Sequence, residues 1–183
     1  PSSMDLIRAG LQDLDKARAL FDQLKADDIP DERCAELLSA LAHACDPDMA
    51  LSNFVDIVNA MQSSQRDLEH VIPDNDALNC LVTVLGVSDA MGKLMRFRPD
   101  LVQAAATDHC NSHLYNHDQR RAHVLESVGA DPNDRMSPTA TMDLADAATA
   151  LRRTYRNQLA AIIAQDTMSD DPIALQPRIS SEL

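Results

Sequence analysis

The stretch LGVSDAMGKLMRFRPD, residues 85–100, contains residues typical of the ends and starts of helices, and these residues indicate how the chain is organised. Its spacing predicts that Gly86 ends one helix and that Ser88 caps the next, because a serine oxygen at that position accepts a hydrogen bond from a free backbone N–H group. Asp89 would then lie at the positive end of the helix dipole. Pro99 is expected to stop this helix and to begin another at its first position. The residues expected to pack inward are Leu94, Met95 and Phe97.

The same stretch has some features of a phosphate-binding motif. A P-loop needs Gly, four residues, Gly-Lys and then Ser or Thr, so that backbone amides surround the phosphates and a hydroxyl reaches magnesium. Here five residues separate Gly86 from Gly92, and Lys93 is followed by Leu94. A nucleotidyltransferase signature needs Gly-Ser and then two acids in strand alternation, but Met91 stands where the second acid would be. The pattern therefore favours helix capping, and no cofactor-binding residue is predicted.

Apolar residues recur every three or four positions along most of the chain, which is the period of an α-helix. Ala and Leu favour helices, and only 4 glycines interrupt them. We therefore predict an all-α fold, a multi-helix array with one long helix of roughly 25 residues near the C-terminus. Gly129 and Pro132 are predicted to end the helix before it. The long helix is predicted from one apolar stripe, made of Leu144, Ala148, Leu151, Tyr155, Leu159 and Ile162.

The chain is strongly acidic, with 29 acidic and 16 basic residues and a formal net charge of −13. Such a surface repels phosphate backbones, so nucleic-acid binding is disfavoured. The sequence has no apolar run of eighteen or more residues and no signal segment, so no membrane partner is expected. Three of the four cysteines fall in apolar helical patterns, where reduced cysteine behaves as a small hydrophobe. These features together predict a cytoplasmic protein.

Three histidines, His109, His113 and His117, are the strongest candidates for metal ligands. Their i, i+4, i+8 spacing would place them on one face of a helix, with Cys110 nearby, and imidazoles in that arrangement can bind zinc or nickel. However, asparagine and serine residues between them weaken the helix, and no further ligand from elsewhere in the sequence is evident. A polar surface segment is the favoured interpretation, and no metal ligand is predicted.

Acidic residues near prolines are a second candidate site, because paired carboxylates can bind metal ions or perform acid–base catalysis. These residues are expected to lie at helix starts, where an acid interacts favourably with the helix dipole, so capping is the predicted role. A Cys–His pair is a third candidate, but His43 and Cys45 would lie on different sides of their helix. No catalytic residue is therefore predicted. The acidic residues considered are Asp27, Asp28, Asp31, Glu32, Asp46 and Asp48.

The run LVTVLGVSDAMGKLMRFRPDLVQ, residues 81–103, resembles the N-terminal helical region of bacterial glutamine synthetase adenylyltransferases. The runs ALAHACDPDMALSNFVDIV, residues 40–58, and ALRRTYRNQLAAIIAQDTMSDD, residues 150–171, resemble two further blocks of the same family in the same order. The run VGADPNDR, residues 128–135, is similar to the high-GC Gram-positive, actinobacterial members. In the first block Met91 takes the place of the family's leucine, and the matching residues are Leu85, Gly86, Ser88, Gly92, Leu94, Pro99 and Asp100.

The resemblance implies a bifunctional enzyme with two nucleotidyltransferase-type catalytic domains. The C-terminal domain of such an enzyme adds AMP from ATP to a tyrosine of glutamine synthetase, and the N-terminal domain removes it by phosphorolysis, releasing ADP. Both domains use magnesium, and a nitrogen-signalling regulatory protein sets the balance between them. The family's catalytic motif, Gly-Ser-x-(Asp/Glu)-x-Asp, lies beyond the block that contains Asp166 and is absent from this sequence. No catalytic residue is therefore carried over from the family.

Residues 1–183 are accordingly expected to be the N-terminal helical region of a larger enzyme, ending before the first nucleotidyltransferase catalytic domain. This region alone is expected to be inactive, to hold no cofactor, and to support the deadenylylase domain of an enzyme that controls nitrogen assimilation. ATP, magnesium, glutamine synthetase and the regulatory protein are implied only for the whole enzyme. The alternative is a free-standing acidic helical module for protein interaction, in which the family blocks are coincidental.

Overall fold

The computed structural model describes residues 1–63, 68–106, 117–168 and 173. Within these residues all regular secondary structure is α-helical, so the predicted all-α class is confirmed. The helices are α1 (Ser3–Arg8), α2 (Leu14–Ala26), α3 (Asp31–Leu41), α4 (Pro47–Ser63), α5 (Leu68–Val71), α6 (Asn75–Val87), α7 (Asp89–Met95), α8 (Pro99–Ala106), α9 (His117–Ser127) and α10 (Leu144–Met168).

Helix α6 lies at the centre of the fold. Its sequence, NDALNCLVTVLGV, is apolar on every side after the first turn, and a helix of that kind is stable only when it is buried all round. The structure meets this requirement, because α3, α4, α7, α8 and α10 all pack against α6. Asp74 caps its N-terminus, with the carboxylate accepting a hydrogen bond from the Ala77 N–H at 2.8 Å.

Helices α3 and α4 pack against α6, and α2 packs in turn against α3 and α4. Phe21 of α2 and Phe54 of α4 are almost completely buried, and they fill the space between the helices together with leucines from α3. Burying one such side chain contributes about 1.5–3 kcal/mol, so this cluster is a main source of stability. The buried α3 residues are Cys34, Leu37, Ala40 and Leu41.

The turn between α6 and α8 largely follows the sequence prediction. Ser88 caps α7, and Pro99 is the first residue of α8, as predicted. The prediction that Gly86 ends a helix is wrong, because α6 continues to Val87 and buries Gly86 in its last turn. The prediction that Phe97 packs inward is also wrong. Its side chain is 74% exposed, because it lies beyond the end of α7, and the Arg96 guanidinium stands 5.5 Å from its ring centre.

A second, smaller core joins α9 to the first half of α10. Val128 and Ala130, which follow α9, pack against Ala147 of α10. Gly129 has φ +72, and its N–H donates to the Glu126 carbonyl at 2.9 Å, which is the geometry of a helix C′ glycine. The predicted end of this helix is therefore confirmed.

Helix α10 confirms the predicted long helix, since it has 25 residues. The face that it buries differs from the prediction. Ala147 and Thr154 are buried, whereas Leu144, Leu151 and Tyr155 of the predicted apolar stripe are exposed. The first half of α10 packs against α9, and its second half packs against α6 and α8, where the side chains of Ala160 and Ala161 are buried. Small residues on this face let α10 approach its neighbours closely.

Two of the cysteines are free thiols, Cys34 in the core and Cys45 at the surface. Burial raises the pKa of the Cys34 thiol, which makes it a poor nucleophile near neutral pH. Cys80 of α6 is instead disulfide-bonded, so for this residue the expectation of a reduced thiol is wrong.

Candidate functional site

Ser88 and the first turn of α7 were the candidate phosphate-binding group, and their geometry is that of a helix cap. The Ser88 hydroxyl accepts a hydrogen bond from the Met91 N–H at 3.2 Å, and the Ser88 carbonyl accepts one from Gly92 at 3.0 Å. The N–H groups of Met91 and Gly92 are therefore used within the helix. Gly86 belongs to the buried turn of α6 and does not contribute a loop.

Lys93 is engaged within the same helix. Its ammonium lies 2.6 Å from the Asp89 carboxylate, one helical turn earlier, and this partner raises the pKa of Lys93. The pair is exposed, with 72% of the lysine side chain accessible to solvent. An exposed i, i+4 pair of this kind is screened by solvent and contributes little to the stability of the fold. Its role is local, and it does not form a cation site for a nucleotide.

Gly92 is required by close packing between helices. A Cβ atom at this position would stand 2.4 Å from Cγ of Asn53 on α4, which is closer than side chains approach. Asn53 is itself buried, and its amide donates to the Leu85 carbonyl of α6 at 3.3 Å. Gly92 thus leaves room for a buried amide that joins α4 to α6.

Asp100 joins α8 to α10 through two arginines. The Arg98 guanidinium binds it in a bidentate manner, with N–O distances of 3.0 and 2.8 Å, and Nε of Arg153 lies 3.0 Å from its Oδ2. The hydrogen bonds from Arg98 hold the pKa of Asp100 below its ordinary value, although partial burial opposes them. The arrangement is suited to holding two helices together, since all three charged groups are already partnered.

Of the histidine candidates, only His117 belongs to the described residues. It is the first residue of α9, and its Nδ1 lies 3.7 Å from Oδ1 of the neighbouring Asp118, with both side chains more than four-fifths exposed. His109, His113 and Cys110 lie outside the described residues. Within the described part of the chain, no group of three or more His, Cys, Asp or Glu residues is placed to hold a metal ion.

Asp27 and Asp28 do not lie at a helix start, so the capping prediction is wrong for both. Asp27 ends α2 and Asp28 follows it with φ +61, a left-handed conformation that aspartate tolerates better than most residues. The end of α2 and the start of α3 both lie near Pro30, and Asp27 and Asp28 belong to the end of α2. Asp31, in contrast, is the first residue of α3, and its carboxylate lies 2.7 Å from Nζ of Lys25.

Asp46 and Asp48 confirm the capping prediction and extend it. Asp46 accepts a hydrogen bond from the Met49 N–H at 2.9 Å, which caps the start of α4. The Asp48 carboxylate reaches across to the loop before α2, where it accepts from the N–H groups of Gln12 at 2.9 Å and Asp13 at 3.2 Å. One carboxylate thus fixes the approach of α2 to α4.

A surface cavity lies between α3 and the turn that leads into α6, with Arg33, Glu36 and Ile72 in its wall. The Arg33 guanidinium is 2.9 Å from the Glu36 carboxylate and also donates to the Ile72 carbonyl. These contacts engage the Arg33 guanidinium, so this cation is not directed at a ligand in the cavity. The exposed His43 and Cys45 lie elsewhere, in the turn between α3 and α4, so the expectation that both belong to a helix is wrong, because α3 ends at Leu41.

Sequence reasoning missed the polar contacts between helices, above all Asn53, Asp48 and Arg153. Asn53 gave the clearest signal, because an amide on the apolar face of an amphipathic helix needs a buried partner. The sequence could not identify that partner, since it lies 32 residues away.

Among the described residues, no helix is long and apolar enough to cross a lipid bilayer.

Comparison with known proteins gives a close match over the whole chain. The sequence is 82% identical over all 183 residues to the bifunctional glutamine synthetase adenylyltransferase/adenylyl-removing enzyme of Bifidobacterium longum strain DJO10A, and equally to that of strain NCC 2705. It is 72% identical to the enzyme of the same name from the subspecies infantis. The chain spans 17% of the length of each relative. No family model and no solved structure matches it.

The matched part is the N-terminal part of these relatives. Identity at this level over 183 residues is far beyond what shared composition produces, and it agrees with the three sequence blocks that suggested the same family. Over its whole length, the chain therefore matches the N-terminal part of the bifunctional glutamine synthetase adenylyltransferase/adenylyl-removing enzymes of Bifidobacterium longum.

Proposed function

We propose that this chain is the N-terminal helical region of an enzyme that both adenylylates and deadenylylates glutamine synthetase, and so controls nitrogen assimilation. The observation that carries the proposal is the 82% identity over all 183 residues to enzymes that bear this name. The chain spans only 17% of their length, so the activity belongs to the whole enzyme.

Within that enzyme, residues 1–183 serve as a non-catalytic support for the deadenylylase domain and end before the first nucleotidyltransferase catalytic domain. This role is supported because side chains that were candidates for a functional site already bind other groups of the chain. Ser88 caps a helix, Lys93 is paired with Asp89, and Asp48 holds two helices together. Phosphoryl transfer needs carboxylates that are free to hold metal ions and cations that are free to neutralise charge.

ATP and magnesium are the cofactors of the whole enzyme under this proposal, and they bind outside residues 1–183. Among the described residues, no group of three or more His, Cys, Asp or Glu side chains is placed to hold a metal ion. Glutamine synthetase and a nitrogen-signalling regulatory protein are the proposed partners, and the cytoplasm is the proposed location. No step of the reaction is assigned to the residues of this chain.

The test compares the 183-residue chain with the full-length enzyme. Magnesium-ATP is titrated into each protein by calorimetry, and AMP release from adenylylated glutamine synthetase is measured with inorganic phosphate present. We expect binding and AMP release from the full-length enzyme and neither from the chain. Tight nucleotide binding or AMP release by the chain alone would contradict the non-catalytic role.

The alternative, a free-standing acidic interaction module, makes a different prediction about the gene. Under the proposed function, the coding sequence continues past Leu183 and soon encodes the motif Gly-Ser-x-(Asp/Glu)-x-Asp. A stop codon directly after Leu183 in the genome would favour the free-standing module. The nucleotide sequence downstream of the Leu183 codon thus separates the two hypotheses without any protein being purified.

A further inference from the structure

Helix α10 carries large apolar side chains at its surface. Leu144 is 87% exposed, Leu151 is 40% exposed and Tyr155 is 57% exposed. They stand at i, i+7 and i+11, and at 3.6 residues per turn this places them within about 40° of one another around the helix axis. These residues therefore form a single stripe on one side of the helix, which we call the α10 stripe.

The α10 stripe continues in register into the main core. Ile162, seven residues after Tyr155, is only 8% exposed, and Leu159 packs partly buried against the core. One apolar stripe thus has a covered end and an uncovered end. The covered end is closed by helices of this chain, and the uncovered end extends along the half of α10 that packs against α9.

The chemistry of the α10 stripe is that of an interface centre. Tyrosine and leucine offer a large apolar contact area, and a tyrosine hydroxyl can still form a hydrogen bond at the rim. Arg152, beside the stripe, is exposed and can contribute to such a rim. A second copy of the chain is a poor occupant, because each copy carries a formal charge of −13 and the two would repel each other.

We propose that the α10 stripe is the docking surface for the polypeptide that follows this region in the full-length enzyme, an apolar face of the next structural unit. The inference rests on the proposed function. Its support is that most of the length of the relatives lies outside this chain, which spans 17% of them. In addition, α10 is the last helix among the described residues, and its end at Met168 is roughly 20 Å along the helix from Tyr155, a distance that a following domain spans easily.

The test measures the accessibility of the α10 stripe by thiol labelling. Leu151→Cys and Tyr155→Cys are made in the 183-residue chain and in the full-length enzyme, and maleimide labelling of each site is followed by peptide mass spectrometry. Met4→Cys is the matched control, because Met4 on α1 has the same 57% exposure as Tyr155. The exposed native Cys45 is an internal reference.

We expect both stripe cysteines to label at least about tenfold more slowly in the full-length enzyme than in the chain, and the Met4 cysteine to label equally in both. Equal labelling of the stripe cysteines in the two proteins would overturn the proposal. Equal protection of the Met4 cysteine would also overturn it, because the protection would not then be specific to α10. Labelling in the chain that slows as protein concentration rises would identify a second copy as the occupant instead.

The outcome is separable from the proposed function. Adenylylation and deadenylylation of glutamine synthetase are assayed on the same full-length preparations. Normal activity with freely labelled stripe cysteines removes only the docking proposal. Protected stripe cysteines in a protein without either activity would remove the proposed function and leave the docking surface in place.

Discussion

Replacing Gly92 by alanine is the sharpest test of how α7 packs on α4. The added Cβ would stand 2.4 Å from Cγ, 2.5 Å from Nδ2 and 2.8 Å from Oδ1 of Asn53, so the whole amide group is in the way. Asn53 is 6% exposed and is enclosed by packed helices, so it has little room to turn aside. Turning the Asn53 amide aside to relieve the clash would also break its 3.3 Å hydrogen bond to the Leu85 carbonyl.

The magnitude follows from three opposing contributions. Forcing an extra methyl group into a packed core costs about 1–3 kcal/mol. Losing the hydrogen bond of a buried amide costs a further ~1 kcal/mol. Alanine is favoured over glycine inside a helix by about 1 kcal/mol, which offsets part of the loss. We therefore expect Gly92→Ala to lower the free energy of unfolding by about 2 kcal/mol and the melting temperature by roughly 4–8 °C.

Urea denaturation of the 183-residue chain, followed by circular dichroism at the helix band, measures this change. The double variant Gly92→Ala with Asn53→Ala removes the clash, so its loss of stability should be smaller than the sum of the two single losses by about 1 kcal/mol or more. A Gly92→Ala protein as stable as the parent, or single losses that simply add, would refute the packing argument.

Two further predictions concern carboxylates. Asp48→Ala should lower the free energy of unfolding by about 1–2 kcal/mol in urea denaturation and speed hydrogen exchange at the Gln12 amide, because two charge-assisted hydrogen bonds are lost. Asp15→Ala, which removes a carboxylate that is 97% exposed, should change stability by less than about 0.5 kcal/mol. The pKa of Asp100 is lowered in the folded state, so its contribution to stability is present above its ordinary value of 3.8 and is lost as the pH falls through the folded pKa. Asp100→Asn should therefore be less stable than the parent at pH 7 and lose less stability on acidification; an unchanged pH profile would contradict this.

The local features of the fold could be predicted from the sequence because they depend on neighbouring residues. Ser88, Gly129 and Pro99 each act within one turn of their own position, and all three do what the sequence indicates. The long helix α10 could be predicted equally well, since the prediction depends only on the spacing of its apolar residues. Asp28 was misplaced because both ends of the α2–α3 connection carry acids, and only the backbone conformation tells them apart.

Contacts between helices could not be predicted in the same way. Periodicity shows which side of a helix is apolar, but it does not show whether a neighbour covers that side. Tyr155 and Phe97 were both expected to be buried, and both are more than half exposed. Asn53 and Gly92 meet only after two helices have packed, so neither residue reveals the other in the sequence.

Because α10 is one unbroken helix that belongs to both cores, it fixes the rotation of the small core relative to the main core about the helix axis. Its first half belongs to the small core with α9, and its second half belongs to the main core, with no break in the helix between them. Inserting or deleting one residue near Arg152 would therefore turn the small core by about 100° around the helix axis and shift it by about 1.5 Å. A change of length in the loop 130–143, outside the helix, would impose no such rotation. The number of residues in the middle of α10 thus sets the direction in which α9 points.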